Sequence, residues 1–311
     1  MIKALSYRSL IIGIVLLFSV VVPRKASSQQ KMQFSQYMFN GIVINPAYAG
    51  VDGALSLTAV QREQWTGIKN APSTQTLSAH SLFKKKKLGV GLTLVNDKVG
   101  VHRNQSILTQ YAFHLPLTEH ATLSFGLQGG IFHLRSDYAS LKSADSDFLI
   151  NDPVLSKTFF DAGTGFYFRN RRFHAGISVP EIISKDFAFN DTLTIQLSRV
   201  NLFLFSKYSI PVSEFVVVEP GFLLKQLKGV PLSFDLNMNM IYREVLVTGV
   251  SYRKSESIDF LLKMQVSRQL QLGYSYDHPI GVLSHVARGS HELCVNFVFK
   301  EFRKKVISPR R

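Results

Sequence analysis

From Ala54 onward, apolar and polar residues alternate with a period of two in runs of roughly ten, and the 3.6-residue period of an amphipathic helix is almost absent. In 232–241, Leu232, Phe234, Leu236, Met238 and Met240 share one face, while Ser233, Asp235, Asn237 and Asn239 share the other. In 121–134, Leu123, Phe125, Leu127 and Ile131 alternate with Thr122, Ser124, Gly126, Gln128 and Gly130. In 258–267, Ile258, Phe260, Leu262, Met264 and Val266 oppose Asp259, Lys263, Gln265 and Ser267. Strands with one apolar and one polar face are predicted near 54–62, 74–82, 88–96, 104–115, 121–136, 159–168, 173–179, 200–210, 215–225, 232–241, 245–252, 257–266, 270–277 and 290–299. Fourteen is an even number, and runs of about ten residues suit tilted strands that cross a hydrocarbon layer better than the strands of five or six common in soluble sandwiches. The pattern predicts an all-β fold: a transmembrane antiparallel up-and-down β-barrel of about 14 strands with a periplasmic or lumenal segment ahead of it.

The connections sort by parity. If the N-terminal end of the first strand is periplasmic, the outer connections include 137–158, 180–199 and 278–289, the three longest, whereas 84–87, 116–120, 170–172, 211–214, 243–244 and 267–269 form short inner turns. Outer-membrane barrels show this asymmetry.

The first residues bear on compartment. Lys3 and Arg8 precede an apolar run from Leu10 to Val22, followed by Ala26, Ser27 and Ser28, as in a secretory signal peptide. No later apolar run is long enough for a spanning helix. Cys294 is the sole cysteine, so intramolecular disulfides are excluded, and it reads as a small apolar strand residue.

The formal charge of +15 is concentrated at the inner turns and in the tail, in Lys84, Lys85, Lys86, Lys87, Arg169, Arg171 and Arg172 among others. Two readings remain open: a docking face for an acidic periplasmic partner, or a solvated rim touching lipid headgroups. A nucleic-acid partner is not expected. Gln64 and Trp65, just past the first strand, suit either an interfacial aromatic position or an anchor for an external partner.

Catalytic chemistry finds little support. No His pair has metal-binding spacing, and Gly126, Gly129 and Gly130 stand in a strand with no following helix to cradle phosphate. Asp145, Asp147 and Asp152 share an outer loop without EF-hand spacing. No enzyme activity, cofactor or metal is expected.

Ahead of the strands, 33–50 has neither period. Its blocks Gln33-Phe34-Ser35-Gln36-Tyr37-Met38-Phe39-Asn40 and Asn45-Pro46-Ala47-Tyr48-Ala49-Gly50, with Arg62, Gln64-Trp65, Asn96-Asp97, Gly100, Gly273-Tyr274-Ser275-Tyr276-Asp277 and Gly289-Ser290-His291-Glu292-Leu293, resemble the PorP/SprF family of type IX secretion outer-membrane proteins. The resemblance covers nearly the whole chain after the leader. It implies a non-catalytic outer-membrane component of secretion and gliding, acting in export or surface anchoring of a large adhesin-like protein that bears a type IX sorting domain. A core-apparatus barrel docked to periplasmic lipoproteins or ring components is the alternative, and a passive porin or small-molecule transporter is a third. The implied partners are that secreted protein, the periplasmic components and outer-membrane lipid. The expected division is a leader over 1–28, an N-terminal segment over 29–53, a barrel over 54–299 and a basic periplasmic tail over 300–311. Within the segment, Gln36, Tyr37, Asn40, Asn45, Pro46, Tyr48 and Gly50 are expected to fill the lower lumen.

Overall fold

The computed structural model describes residues 33–83, 87–138, 154–183, 186–188, 194–196, 200–227 and 230–299. The expected leader, Lys84, Lys85 and Lys86, the acidic loop with Asp145, Asp147 and Asp152, and the basic tail lie outside them.

The wall has fourteen strands: β1 Leu55–Glu63, β2 Ser73–Phe83, β3 Leu88–Val99, β4 His102–Pro116, β5 Thr122–Asp137, β6 Val154–Arg169, β7 Phe173–Val179, β8 Asn201–Tyr208, β9 Val216–Leu227, β10 Ser233–Tyr242, β11 Leu246–Arg253, β12 Ser257–Gln265, β13 Leu270–Pro279 and β14 Ser290–Phe299. Ile210–Pro211 continues β8 in the same register on β9. Each strand pairs antiparallel with its sequence neighbours, and β1 pairs with β14 from Leu55↔Phe299 to Glu63↔His291, closing the barrel. Closure leaves no unpaired sheet edge, the condition for a sheet to span lipid.

The alternation resolves into lipid-facing and lumen-facing rows. In β10, Leu236, Met238 and Met240 are exposed on the outside, while Asp235, Asn237 and Asn239 are buried inside. In β5, Phe125, Leu127 and Ile131 face outward, and Ser124, Gly126 and Gln128 inward. Burying the polar row is costly unless its groups are paired, so something must fill the lumen.

Two details go beyond the sequence reading. Strand β6 begins at Val154, well before the predicted 159, and the long connection after β7 carries a small hairpin, Asp186–Ala188 with Thr194–Gln196. At the start of β6, Ser156, Lys157 and Thr158 are polar on both faces and leave no alternation to read.

Candidate functional site in the barrel lumen

The segment Gln33–Asp52 runs through the lumen from the long-loop end to the short-turn end, touching every strand of the wall. Gln33 Nε2 donates to Glu256 in the outer turn after β11 at 3.3 Å, whereas Val51 O accepts from Arg169 Nη1 near the inner end of β6 at 2.8 Å. The segment is therefore not confined to the lower lumen. Its first residues lie at the outer mouth, because the charged side chains that pair with them are at the outer ends of the strands.

Those charges form a buried cluster. Arg62 on β1 meets Asp277 on β13 at 2.6 Å and its register partner Glu292 on β14 at 3.1 Å. Arg253 on β11 faces Asp235 at 3.4 Å, Asp259 at 3.4 Å and Asp277 at 3.5 Å, and Lys225 adds a 3.0 Å contact to Asp235. Ser35 and Gln36 complete the cluster: their backbone N–H groups donate to the two carboxylate oxygens of Glu292 at 2.9 Å each, and the Ser35 hydroxyl donates to Asp277 at 2.7 Å while accepting from Arg62 at 2.9 Å. Charge-assisted hydrogen bonds of this kind offset part of the cost of burying these carboxylates, most completely at Glu292, whose two oxygens both accept.

Below the cluster the chain turns twice. Gly41–Val43 forms one 3-10 turn and Pro46–Tyr48 another, the second capped by Asn45, whose Oδ1 accepts from Ala47 N at 2.9 Å. Proline is suited to the first position of such a turn because its fixed φ is already helical and it has no N–H to satisfy. Asn45 Nδ2 donates to Phe166 O at 2.9 Å, Asn237 Nδ2 donates to the Tyr37 hydroxyl at 2.6 Å, and Ser78 donates to Asn40 Oδ1 at 3.3 Å. Gly50 N–H donates to His80 Nδ1 at 3.2 Å, and His114 Nε2 meets Ala49 O at 2.8 Å. Tyr48 sits edge-on between His80 and Tyr167, with ring centroids 5.9 and 5.5 Å away.

Inward glycines make room for this backbone. A Cβ on Gly89 would lie 1.9 Å from Ala49 O, and one on Gly126 would lie 2.1 Å from Ala47 N. Gly126 thus serves close packing of the turn against the wall. A cavity of about 420 Å³ remains between the segment and the wall, lined in part by Tyr37, Tyr48, Tyr167, Arg169 and Lys207. Replacing Tyr37 with phenylalanine is expected to leave Asn237 short of a partner and cost about 1–3 kcal/mol, read as a lower denaturant midpoint of the folded barrel in detergent.

The other sequence-derived candidates divide. Gln64 is buried, and its backbone N–H donates to Pro72 O at 2.9 Å; Trp65 is half-buried, with its N–H on the Ser290 hydroxyl at 3.1 Å. Arg169 turns into the lumen, away from the rim, while Lys87, Arg171 and Arg172 are exposed at the short-turn end. Sequence reading did not assemble Ser35, Arg62, Arg253, Asp277 and Glu292 into a site. Strand parity was the available signal: Arg62 shares a face with Ser56 and Thr58, and Asp277 with Ser275, which places their charges inside.

A family model described as type IX secretion system membrane protein PorP/SprF matches residues 26–297. No curated protein sequence matches the chain. Among solved structures, Omp33 of Acinetobacter baumannii is similar at 8% identity, covering 79% of this chain and 98% of its own, with a TM-score of 0.47. The CymD monoaromatic hydrocarbon channel aligns at 12% identity over 84% of this chain and 92% of its own, with a TM-score of 0.48. The translocator domain of the autotransporter NalP from Neisseria meningitidis aligns at 10% over 85% and 93%, with a TM-score of 0.39. The family match spans most of the chain, including both the lumenal segment and the strands whose charges hold it. The chain therefore belongs to the PorP/SprF family of type IX secretion system membrane proteins and resides in the outer membrane.

Proposed function

We propose that the barrel is a non-catalytic part of type IX secretion that exports or anchors a large secreted adhesin-like protein carrying a type IX sorting domain. The observation that supports this reading is the lumenal segment: the bore is occupied by the chain's own residues, fixed at the outer mouth by buried ion pairs, so the molecule is built to hold a state rather than to pass small solutes. Planar-bilayer recording of the full chain is expected to show no steady current, and purification from native outer membrane is expected to bring down one large secreted protein. A stable ohmic pore with no such protein attached would favour the porin reading.

A second reading, a core-apparatus barrel docked to periplasmic lipoproteins or ring components, draws support from Lys87, Arg171 and Arg172, exposed together at the short-turn end. Under it, changing Arg171 and Arg172 to glutamate is expected to reduce cross-linking to periplasmic secretion components several-fold while leaving the barrel folded. Unchanged cross-linking would leave these residues as a solvated rim. Rim charges act mainly through encounter rate and are screened by salt, so the difference is expected to be largest at low ionic strength.

A further inference from the structure

Three adjacent strands carry the same sequence of side chains on their outer faces, read toward the long-loop end. Apolar positions come first, ending in Leu94 on β3, Ile107 on β4 and Ile131 on β5; next come Asn96, Gln105 and His133, and then Lys98, Arg103 and Arg135. Strand register sets these side by side. Leu94, Ile107 and Ile131 are direct partners, as are Asn96, Gln105 and His133, and as are Lys98, Arg103 and Arg135. The amide row is linked laterally, Gln105 Nε2 donating to Asn96 Oδ1 at 3.3 Å and Asn96 Nδ2 to Gln75 Oε1 at 3.2 Å. Beside it the wall holds an exterior groove of about 730 Å³, lined by Ala59, Leu77, Leu94, Ile107, Ile131 and Leu293 together with the amides.

The cationic row is unusual in its environment. Like charges directly opposite one another on neighbouring strands repel, and two strand spacings put all three cations within about 10 Å. All three are exposed, and among the described residues none makes an ion pair. On the opposite wall the outward positions near the same end are aromatic, with Phe234, Tyr252, Tyr274 and Tyr276, so the triplet is a local feature rather than part of a continuous belt.

We propose that this strip is a binding site for a phosphorylated, acylated saccharide lipid of the outer leaflet. The three rows follow the order of such a molecule: acyl chains along the apolar row and groove, the saccharide against the amides, and phosphates across Lys98, Arg103 and Arg135. Charge complementarity selects the occupant. An anionic headgroup relieves the repulsion among the cations, and the groove lies on the membrane-facing wall, where a chain of hydrocarbon fits it. Arginine suits phosphate because its planar fork donates two parallel hydrogen bonds.

The test uses the full-length barrel in detergent with bis-phosphorylated lipid A as probe. The combined change Lys98→Gln, Arg103→Gln and Arg135→Gln is expected to weaken binding roughly a hundredfold, from about tenfold per 1.4 kcal/mol and the attraction usual for a basic residue at an anionic surface. Removing both phosphates from the lipid is expected to weaken binding to the unaltered protein by a similar factor, a comparison that does not depend on how the variant folds. Lys254→Gln, in the outer turn after β11, is expected to bind as the parent does. Undiminished binding by the triple variant, or of the dephosphorylated lipid, would overturn the proposal. So would loss of a co-purifying acidic protein from the triple variant with lipid binding unchanged, which would assign the strip to a protein partner.

Discussion

Replacing Arg62 with alanine is expected to cost the folded protein about 3–5 kcal/mol, the usual loss when one partner of a buried ion pair is removed and the other stays behind. Here two carboxylates are left. Asp277 and Glu292 lose their contacts to Arg62 at 2.6 and 3.1 Å, and Ser35 loses a donor to its hydroxyl. Arg253, 3.5 Å from Asp277, compensates only in part, because it already serves Asp235 and Asp259. The expected signature is a lower urea midpoint together with protease cleavage near Ser35 and Gln36 in a barrel that otherwise remains folded. A lysine at position 62 restores the charge without the guanidinium fork, so it is expected to recover only part of the loss. An alanine variant with parental stability and a protected segment would show that the cluster does not hold the segment.

The second large effect is steric. A valine at position 126 places its Cβ 2.1 Å from Ala47 N, 2.4 Å from Pro46 C and 2.5 Å from Ala47 Cα, all of them backbone atoms that no rotamer change can move. The wall at this point is held by paired neighbours on β4 and β6, so the Pro46–Tyr48 turn is the part that must leave. Overpacking a well-filled site commonly costs 1–3 kcal/mol, and displacement of backbone puts this case at or above about 3 kcal/mol. In planar bilayers the variant is expected to show stepwise current where the parent is silent. A silent Gly126→Val barrel of normal stability would mean that the turn is not seated against β5.

Most of the wall was legible in the sequence because lipid imposes a simple rule on it. An apolar residue every second position, as in Leu236, Met238 and Met240, signals both a strand and the face it exposes, and the closed pairing follows from the need to leave no edge unpaired. The early start of β6 was not legible, since Ser156, Lys157 and Thr158 put no apolar row on either face. The lumenal segment was legible as an exception, a conspicuous stretch without periodicity, but not in its placement. Its depth is set by where Glu292, Asp277 and Arg253 stand on strands more than two hundred residues away, and local sequence carries no trace of that distance. Arg169 misled for the opposite reason: it belongs by position to a basic turn, yet its side chain reaches inward to Val51 O, an acceptor that exists only once the segment is in place.

The boundary between β1 and β14 is the one place in the wall where the paired strands are not consecutive in the sequence, and Arg62 and Glu292 face each other across it in direct register. Ser35 and Gln36 bind the same Glu292. The plug is thus also a clasp on the barrel's seam: withdrawing it strips hydrogen bonds from a buried carboxylate at the one join that covalent continuity does not protect. A pull on the N-terminal segment is therefore borne in part by Glu292 at this join, which ties the seat of the plug to the seam of the wall.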